Sequence, residues 1–281
     1  MKRFYLLLSI TLLLFPLAAY AQKPKARPTP NKNSSVTVKT AAGETEEFEK
    51  ALSVAAAPER IAALQKFLND FPQSERKTRA LELIVSARAE IAEEKLRLSE
   101  TEEGVKLFLL AATEAPTPIS EDLFARVILQ FPTNLFYRGQ PKAAFEVAEI
   151  IEKKIEGNAR QLLALGTFYL GVESADNAKR VSEKVLAVDA AAALPVESQI
   201  AAYQMLGMAN RLNFDLEASA NAYAKALELN PNSIVSKRSL AEMKRAIGKT
   251  EESAALYREI LEKDTADNAA QTGLILSLFD A

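Results

Sequence analysis

Three short stretches of this chain hold residue types that could do chemistry. Gly248-Lys249-Thr250 has the ending of a phosphate-binding loop, in which a glycine-rich turn wraps the phosphates and the lysine reaches them. Such a loop needs another glycine five positions before Gly248, and Met243 stands there inside a run of helical period. The spacing predicts a turn between paired helices, with Gly248 just past one helix and Thr250 capping the next. Ser74-Glu75-Arg76-Lys77 matches the S-x-x-K of serine acyl-enzymes, but the companion S-D-N and K-T-G are missing, so Ser74 reads as an N-cap. Glu44, Glu46, Glu47 and Glu49 could pair as acid and base in glycoside hydrolysis. They read as the first turns of a helix, where negative charge is favoured, and the chain has no Trp on which to stack a sugar.

The absences are broader than Trp. With no Cys and no His, disulfides, thiolate nucleophiles, Cys/His metal sites and imidazole acid–base schemes are excluded. A formal net charge of −2 gives no global support for nucleic-acid binding. The expectation is a non-enzyme without cofactor or metal, acting through its surface.

The residues that remain must be positioned by helices. Ala, Leu, Glu and Lys dominate, Gly is 9 and Pro 12, and 48% of the chain is hydrophobic, enough for a substantial core. The first residues are read as a signal peptide over 1–21. MKR is a basic start, FYLLLSITLLLFPLA an apolar run shorter than the ~20 residues a spanning helix needs, and Ala19-Tyr20-Ala21 a cleavage signature. Cleavage after Ala21 would export the chain to a bacterial periplasm or the exterior, with no stable membrane insertion afterwards. Residues 22–44 form a Pro/Lys-rich segment with five cations (Lys23, Lys25, Arg27, Lys32, Lys39), read as a flexible linker. Without those five and Lys2 and Arg3, the rest holds 28 basic against 37 acidic residues.

Beyond Glu44 the apolar period is helical, and from Asn158 the helices come in pairs. Leu206-Gly207 recurs as Leu240-Ala241 and Leu274-Ile275 in steps of 34 residues, and Ser219, Tyr223 and Ala226 recur as Ser253, Tyr257 and Ile260. Leu165-Gly166, Ala178 and Val185 precede their counterparts by 41, which is one such step plus a seven-residue insertion near Ala190–Val196. Tyr203, Leu206-Gly207, Ser219, Tyr223, Ala226 and Pro231 stand at the spacings of the tetratricopeptide repeat, which this unit resembles; it departs at Asn210, where that family prefers Tyr.

The resemblance implies an all-α, right-handed superhelical solenoid of antiparallel helix pairs, with units at about 159–192, 200–233, 234–267 and a partial unit at 268–281. Residues 45–157 are read as divergent helical hairpins of the same solenoid. There Pro58–Pro72 and Ile119–Pro132 look like second helices stopped by proline, and Ser99 with Glu102 looks like a capping box. Tyr223→Ala and Leu206→Ala are each expected to destabilise by ~2–5 kcal/mol.

In that family the first helices of the pairs line a concave groove for partner segments. Here this points to Arg160, Leu163, Thr167, Gln204, Met208, Arg211, Arg238, Glu242 and Arg245, although the family's carboxylate clamp is not matched, since Leu163 and Thr167 occupy its places. Gln204, Met208 and Arg211 share one helical side, as do Arg238, Glu242 and Arg245. Joint charge reversal of Arg211, Arg238 and Arg245 is expected to be mild for folding, within about 1 kcal/mol. An alternative site is the loop read over Thr133–Lys142, which gathers Phe136, Tyr137 and Arg138, residue types favoured at interfaces.

The expected function is therefore a protein-binding scaffold of the cell envelope, or alternatively the docking region of a larger exported protein. Asn268–Ala281 overlays a first helix without its mate, and Gly273–Phe279 is apolar nearly all round. This reads as a repeat that continues beyond Ala281, or as a face for self-association.

Overall fold

The computed structural model describes the backbone of residues 35–187 and 194–281 and the side chains from Gly43 within those limits. The signal peptide, residues 22–34 of the linker and most of the insertion near Ala190 lie outside the described residues. The chain divides into the units Met1–Gly43 and Glu44–Ala281.

Every described element is helical. In order they are α1 (Ser35–Leu52), α2 (Ala57–Asp70), α3 (Lys77–Arg97), α4 (Thr101–Glu114), α5 (Glu121–Leu123), a π turn (Phe124–Ile128), α6 (Gln130–Tyr137), α7 (Pro141–Lys154), α8 (Ala159–Gly171), α9 (Ala175–Leu186), α10 (Val196–Leu212), α11 (Leu216–Leu229), α12 (Ile234–Ala246), α13 (Thr250–Lys263) and α14 (Asn268–Phe279). Helix α1 opens at Ser35, inside the segment read as flexible linker, and the Glu44–Glu49 carboxylates sit in its later turns instead of its first.

Helices α5, α8, α12 and α14 are started by side-chain caps. Ser120, Asn158, Ser233 and Asp267 each accept the backbone N–H three residues on, which satisfies one of the free donors at a helix start. The turn into each second helix is also shared. Gly139, Glu173, Phe214 and Gly248 all have left-handed φ, between 56° and 78°. At each, the following residue donates to the carbonyl five back, as in Ser174 N–H to Tyr169 O and Lys249 N–H to Lys244 O, both 2.8 Å. This is the Schellman ending. Gly139 lies 34 residues before Glu173, so the repeat extends back to the pair formed by the α5–α6 segment and α7.

Four local expectations change. Ser99 is itself a left-handed turn residue (φ 65°) closing α3, with Glu100 N–H on Lys95 O at 2.8 Å, so it forms no capping box with Glu102. Ser74 does not cap α3, which starts at Lys77; its hydroxyl accepts from Arg76 N–H and donates to Glu44. Thr250 is the first residue of α13, and the position before it is Lys249. Pro132 does not stop a helix either. Its ring crowds the carbonyl four residues back and it lacks an N–H, and just ahead the chain widens into the π turn, Leu129 N–H reaching Phe124 O at 3.0 Å. The wider turn absorbs the proline, so Ile119–Pro132 belongs to a first helix and residues 130–137 are helix instead of loop.

Small residues bring the paired helices together. A Cβ on Gly207 would stand 2.7 Å from the Tyr223 ring, and one on Gly273 2.2 Å from the Tyr257 ring. Ser219 donates to the Gly207 carbonyl (2.8 Å) and Ser253 to the Ala241 carbonyl (2.7 Å), the same contact one repeat apart. One hydrophobic cluster runs from Val85 to Ala209, with smaller ones around Phe67 and Ile84, around Tyr223 and Leu240, and around Tyr257 and Ile260. The chain is thus an all-α solenoid of tetratricopeptide-like helix pairs. Leu206 is only half-buried. Leu206→Ala is therefore expected to lower stability by less than about 2 kcal/mol in denaturant titration, below the range set for a core leucine.

Candidate functional site

The first helices α8, α10 and α12 carry the residues expected to form a groove, and the structure separates them by what they touch: Leu163 packs against the main core and Thr167 is exposed with its hydroxyl on Ala164 O. Arg160, Met208, Arg211 and Glu242 are exposed and make no ion pair among the described residues. Gln204, Arg238 and Arg245 tie consecutive first helices together. Gln204 of α10 donates to Ser236 of α12 at 2.8 Å, Arg238 of α12 pairs with Asp267, the cap of α14, and Arg245 pairs with Asp280 at 2.7 Å. Asp267 titrates below the usual carboxylate range, chiefly because the Ala270 N–H donates to it, with Arg238 adding to the effect. A 460 Å³ cleft lies between α12 and α14, with Glu242 and Arg245 on its rim and Tyr257 and Gly273 in its floor.

The mild outcome expected for the joint reversal of Arg211, Arg238 and Arg245 is corrected by these contacts. Arg238 keeps one buried guanidinium nitrogen without a partner among the described residues, and its charge faces the carboxylate that starts α14. Arg238→Glu is expected to lower the midpoint of thermal unfolding, whereas Arg211→Glu should leave it in place, as exposed substitutions do. Equal effects would mean that the Arg238–Asp267 pair contributes nothing to the docking of α14.

The alternative site also changes character. Phe136 is half-buried, edge-on to Phe145 at 6.2 Å and Phe168 at 6.3 Å, and packs against the main core. Tyr137, 73% exposed, and Arg138 are at the surface where α6 ends. A 500 Å³ cleft separates α3 from the π turn and α6. Phe108 and Phe131 form its floor, and Glu90, Glu93 and Arg126 its walls.

Sequence reasoning missed a highly charged cleft of 860 Å³ between the second helices α7 and α9. Glu152, only 3% exposed, holds it together. Arg180 donates to both of its carboxylate oxygens, Lys184 to one at 2.8 Å, and the Tyr169 hydroxyl approaches at 3.4 Å. Burial pushes the Glu152 carboxyl up, but the hydrogen bonds and charges of Arg180 and Lys184 outweigh it and hold the group below its ordinary range. Tyr169 stacks on Phe145, with centroids 6.3 Å apart, and burial together with the Glu152 charge pushes its hydroxyl up to about 12. A raised folded value gives stability that is complete below the unfolded tyrosine value near 10 and is lost as pH rises through about 12. Tyr169→Phe is therefore expected to flatten the alkaline fall in unfolding free energy between roughly pH 9.5 and 11. An unchanged alkaline limb would assign that fall to Tyr223 and Tyr257, whose hydroxyls burial also raises. The signal that could have found Glu152 is spacing, since its partners lie 28 and 32 residues on, about one repeat away.

Among the described residues no group of carboxylates could hold a metal ion, and no helix is long and apolar enough to cross a membrane. No family model matches the chain, and no curated protein matches it. Among solved structures, the APC/C hetero-tetramer Cut9–Hcn1 aligns with 79% of this chain and 39% of its own at 15% identity and a TM-score of 0.46. MamA from Desulfovibrio magneticus RS-1 aligns over 66% and 97% at 21% identity and 0.43. A tetratricopeptide repeat protein from Parabacteroides merdae aligns over 84% and 99% at 11% identity and 0.38. The chain thus spans well under half of the first of these and nearly all of the other two.

Proposed function

We propose that this chain is a non-catalytic, protein-binding scaffold exported to a bacterial cell envelope, which holds partner segments along the face made by its first helices. One observation carries the reading. Successive first helices are linked side by side through Gln204–Ser236, Arg238–Asp267 and Arg245–Asp280, and this leaves Met208 and Arg211 exposed on α10 and Glu242 on the rim of the α12–α14 cleft. A methionine 38% exposed, on the same helical side as Arg211, is an adaptable contact surface. The export part rests on the basic start, the apolar run and Ala19-Tyr20-Ala21.

The test places a photo-crosslinking residue at Met208 and, as a control, at the exposed Leu98 in the turn after α3. Crosslinking at Met208 alone, lost when Arg211→Glu and Glu242→Lys are added, is the expected result. Equal crosslinking from Leu98 would remove the first-helix face as the site. Intact mass of material from the native host should start at Gln22, and a retained Met1 would overturn export.

A second reading concerns α14, where Ile275, Leu278 and Phe279 point outward, Phe279 at 87% exposure. We read this face as a self-association surface, because a helix apolar on nearly every side is stable in water only when covered. Sedimentation over a concentration series should show a dimer that Phe279→Lys dissociates. A monomer at all concentrations that also binds no apolar-surface dye would end this reading.

A further inference from the structure

The cleft between α7 and α9 has a sign that can be read from which of its groups are already engaged. Of its three carboxylates, Glu152 is saturated by Arg180, Lys184 and Tyr169, and Glu149 is taken by Lys153 at 2.8 Å. Only Glu146 is left without an ion pair among the described residues. The cations are less fully used. Lys142 pairs with nothing among the described residues, Lys184 spends one of its three N–H groups on Glu152, and the Nε of Arg180 takes no part in the network. Arg180 and Lys184 are each more than two-fifths exposed, so these spare donors are within reach of a ligand. The residual chemistry is donor-rich above an aromatic floor of Phe145 and Tyr169, and 860 Å³ is within the range of cavities that bury a ligand.

We propose that this cleft is a second binding site, on the second-helix side of the solenoid, and that it takes the carboxylates of an acidic peptide segment. The carboxylates sit between Lys142 on one wall and Arg180 and Lys184 on the other, with an apolar or aromatic side chain of the segment against Phe145. The site uses none of the residues assigned to the first-helix face, so either can fail without the other.

The probe is a labelled Glu-rich peptide with one Phe, compared with its Gln and Lys counterparts by fluorescence anisotropy on the full mature chain at low salt, where screening is weakest. The Glu peptide should bind at least about tenfold more tightly than the Gln peptide, and the Lys peptide more weakly still. Lys142→Glu should remove that preference. Lys142 is in the first turn of α7, where a carboxylate is favoured, so this variant keeps its fold. Arg211→Glu should leave the affinity unchanged. Equal binding of the Glu and Gln peptides, or full binding to Lys142→Glu, would overturn the site. So would loss of binding in Arg211→Glu alone, which would assign the peptide to the first-helix face instead. Binding of inorganic phosphate, read by calorimetry, with no affinity for the Glu peptide would make the cleft an anion site and overturn the peptide assignment. An amidated C-terminus on the probe separates side-chain carboxylates, whose binding would persist, from a terminal carboxylate, whose binding would vanish.

Discussion

Replacing Tyr223 with alanine is expected to lower the unfolding free energy by about 3–5 kcal/mol, the range for removing a buried aromatic side chain. The ring is 4% exposed and rests where Gly207 has no side chain, so it fills the space between α10 and α11 at this point. Ser219, also on α11, fixes the same approach by donating to the Gly207 carbonyl. Once the ring is gone, glycine has nothing to move into the space, and the hydrogen bond keeps the helices from closing over it. The cavity therefore persists and adds to the lost burial. Tyr223→Phe should stay within about 1.5 kcal/mol, because shape is kept. Gly207→Ala should destabilise the natural chain yet partly rescue Tyr223→Ala, because the added methyl meets the ring in one background and fills the hole in the other. Denaturant titration of the four chains measures this coupling, and a Tyr223→Ala effect near zero would mean that the ring does not lie between the helices.

The repeat was legible because the same contact is made again one unit later, with the same serine and tyrosine and a small residue opposite. Ser219 to Gly207 and Ser253 to Ala241 are each twelve residues apart, and Tyr223 and Tyr257 follow the same step. At the turns the units obey the same geometry with different letters. The left-handed turn position is glycine at 139 and 248 but Glu173 and Phe214 in between, so a search for glycine misses half of them. Hydrogen bonds from the turn to the preceding helix hold those two in a conformation their types seldom adopt. Pro132 misled for a similar reason. A proline stops an α-helix, but the π turn ahead of it removes the clash, and nothing in FARVI announces a π turn.

The candidate site was legible as a face and illegible as a set of free groups. Helical spacing places Gln204, Met208 and Arg211 on one side of α10, but whether a side chain is free depends on the next helix, which spacing within one helix cannot report. Gln204 and Arg245 meet partners 32 and 35 residues on, while Met208 meets none that holds it below the surface. Glu152 stands three residues from Glu149 and six from Glu146 on α7, and such a row of acids within one helix reads as a solvated face. Its burial is created by α9, one repeat later.

Removing both cations from Glu152, as Arg180→Ala with Lys184→Ala, is expected to destabilise the chain by about 3 kcal/mol at pH 7, more than Glu152→Gln, at about 1–2 kcal/mol. The asymmetry comes from burial. Glu152 is 3% exposed and cannot reach water, whereas Arg180 and Lys184 have 43% and 42% exposed side chains and rehydrate when their carboxylate is lost. A stranded buried carboxylate is the larger penalty, reduced from the full range for a buried pair because the opened cleft lets in water. The two chains should also respond to acid in opposite directions. In the natural chain the Glu152 carboxyl is held below its ordinary range, burial being outweighed by Arg180 and Lys184, so its stabilisation is complete above the unfolded glutamate value near 4.3 and is lost as pH falls through the lower folded value. Without the cations only burial remains, which raises the folded value above 4.3. Protonation then relieves the penalty, and the double variant should close part of its gap to the natural chain between pH 7 and about 4.5. Urea titrations across that range measure the gap directly. A gap that stays constant or widens on acidification would show that the lost stability comes from the packing of the two side-chain stems, and that Glu152 is not held in place by their charge.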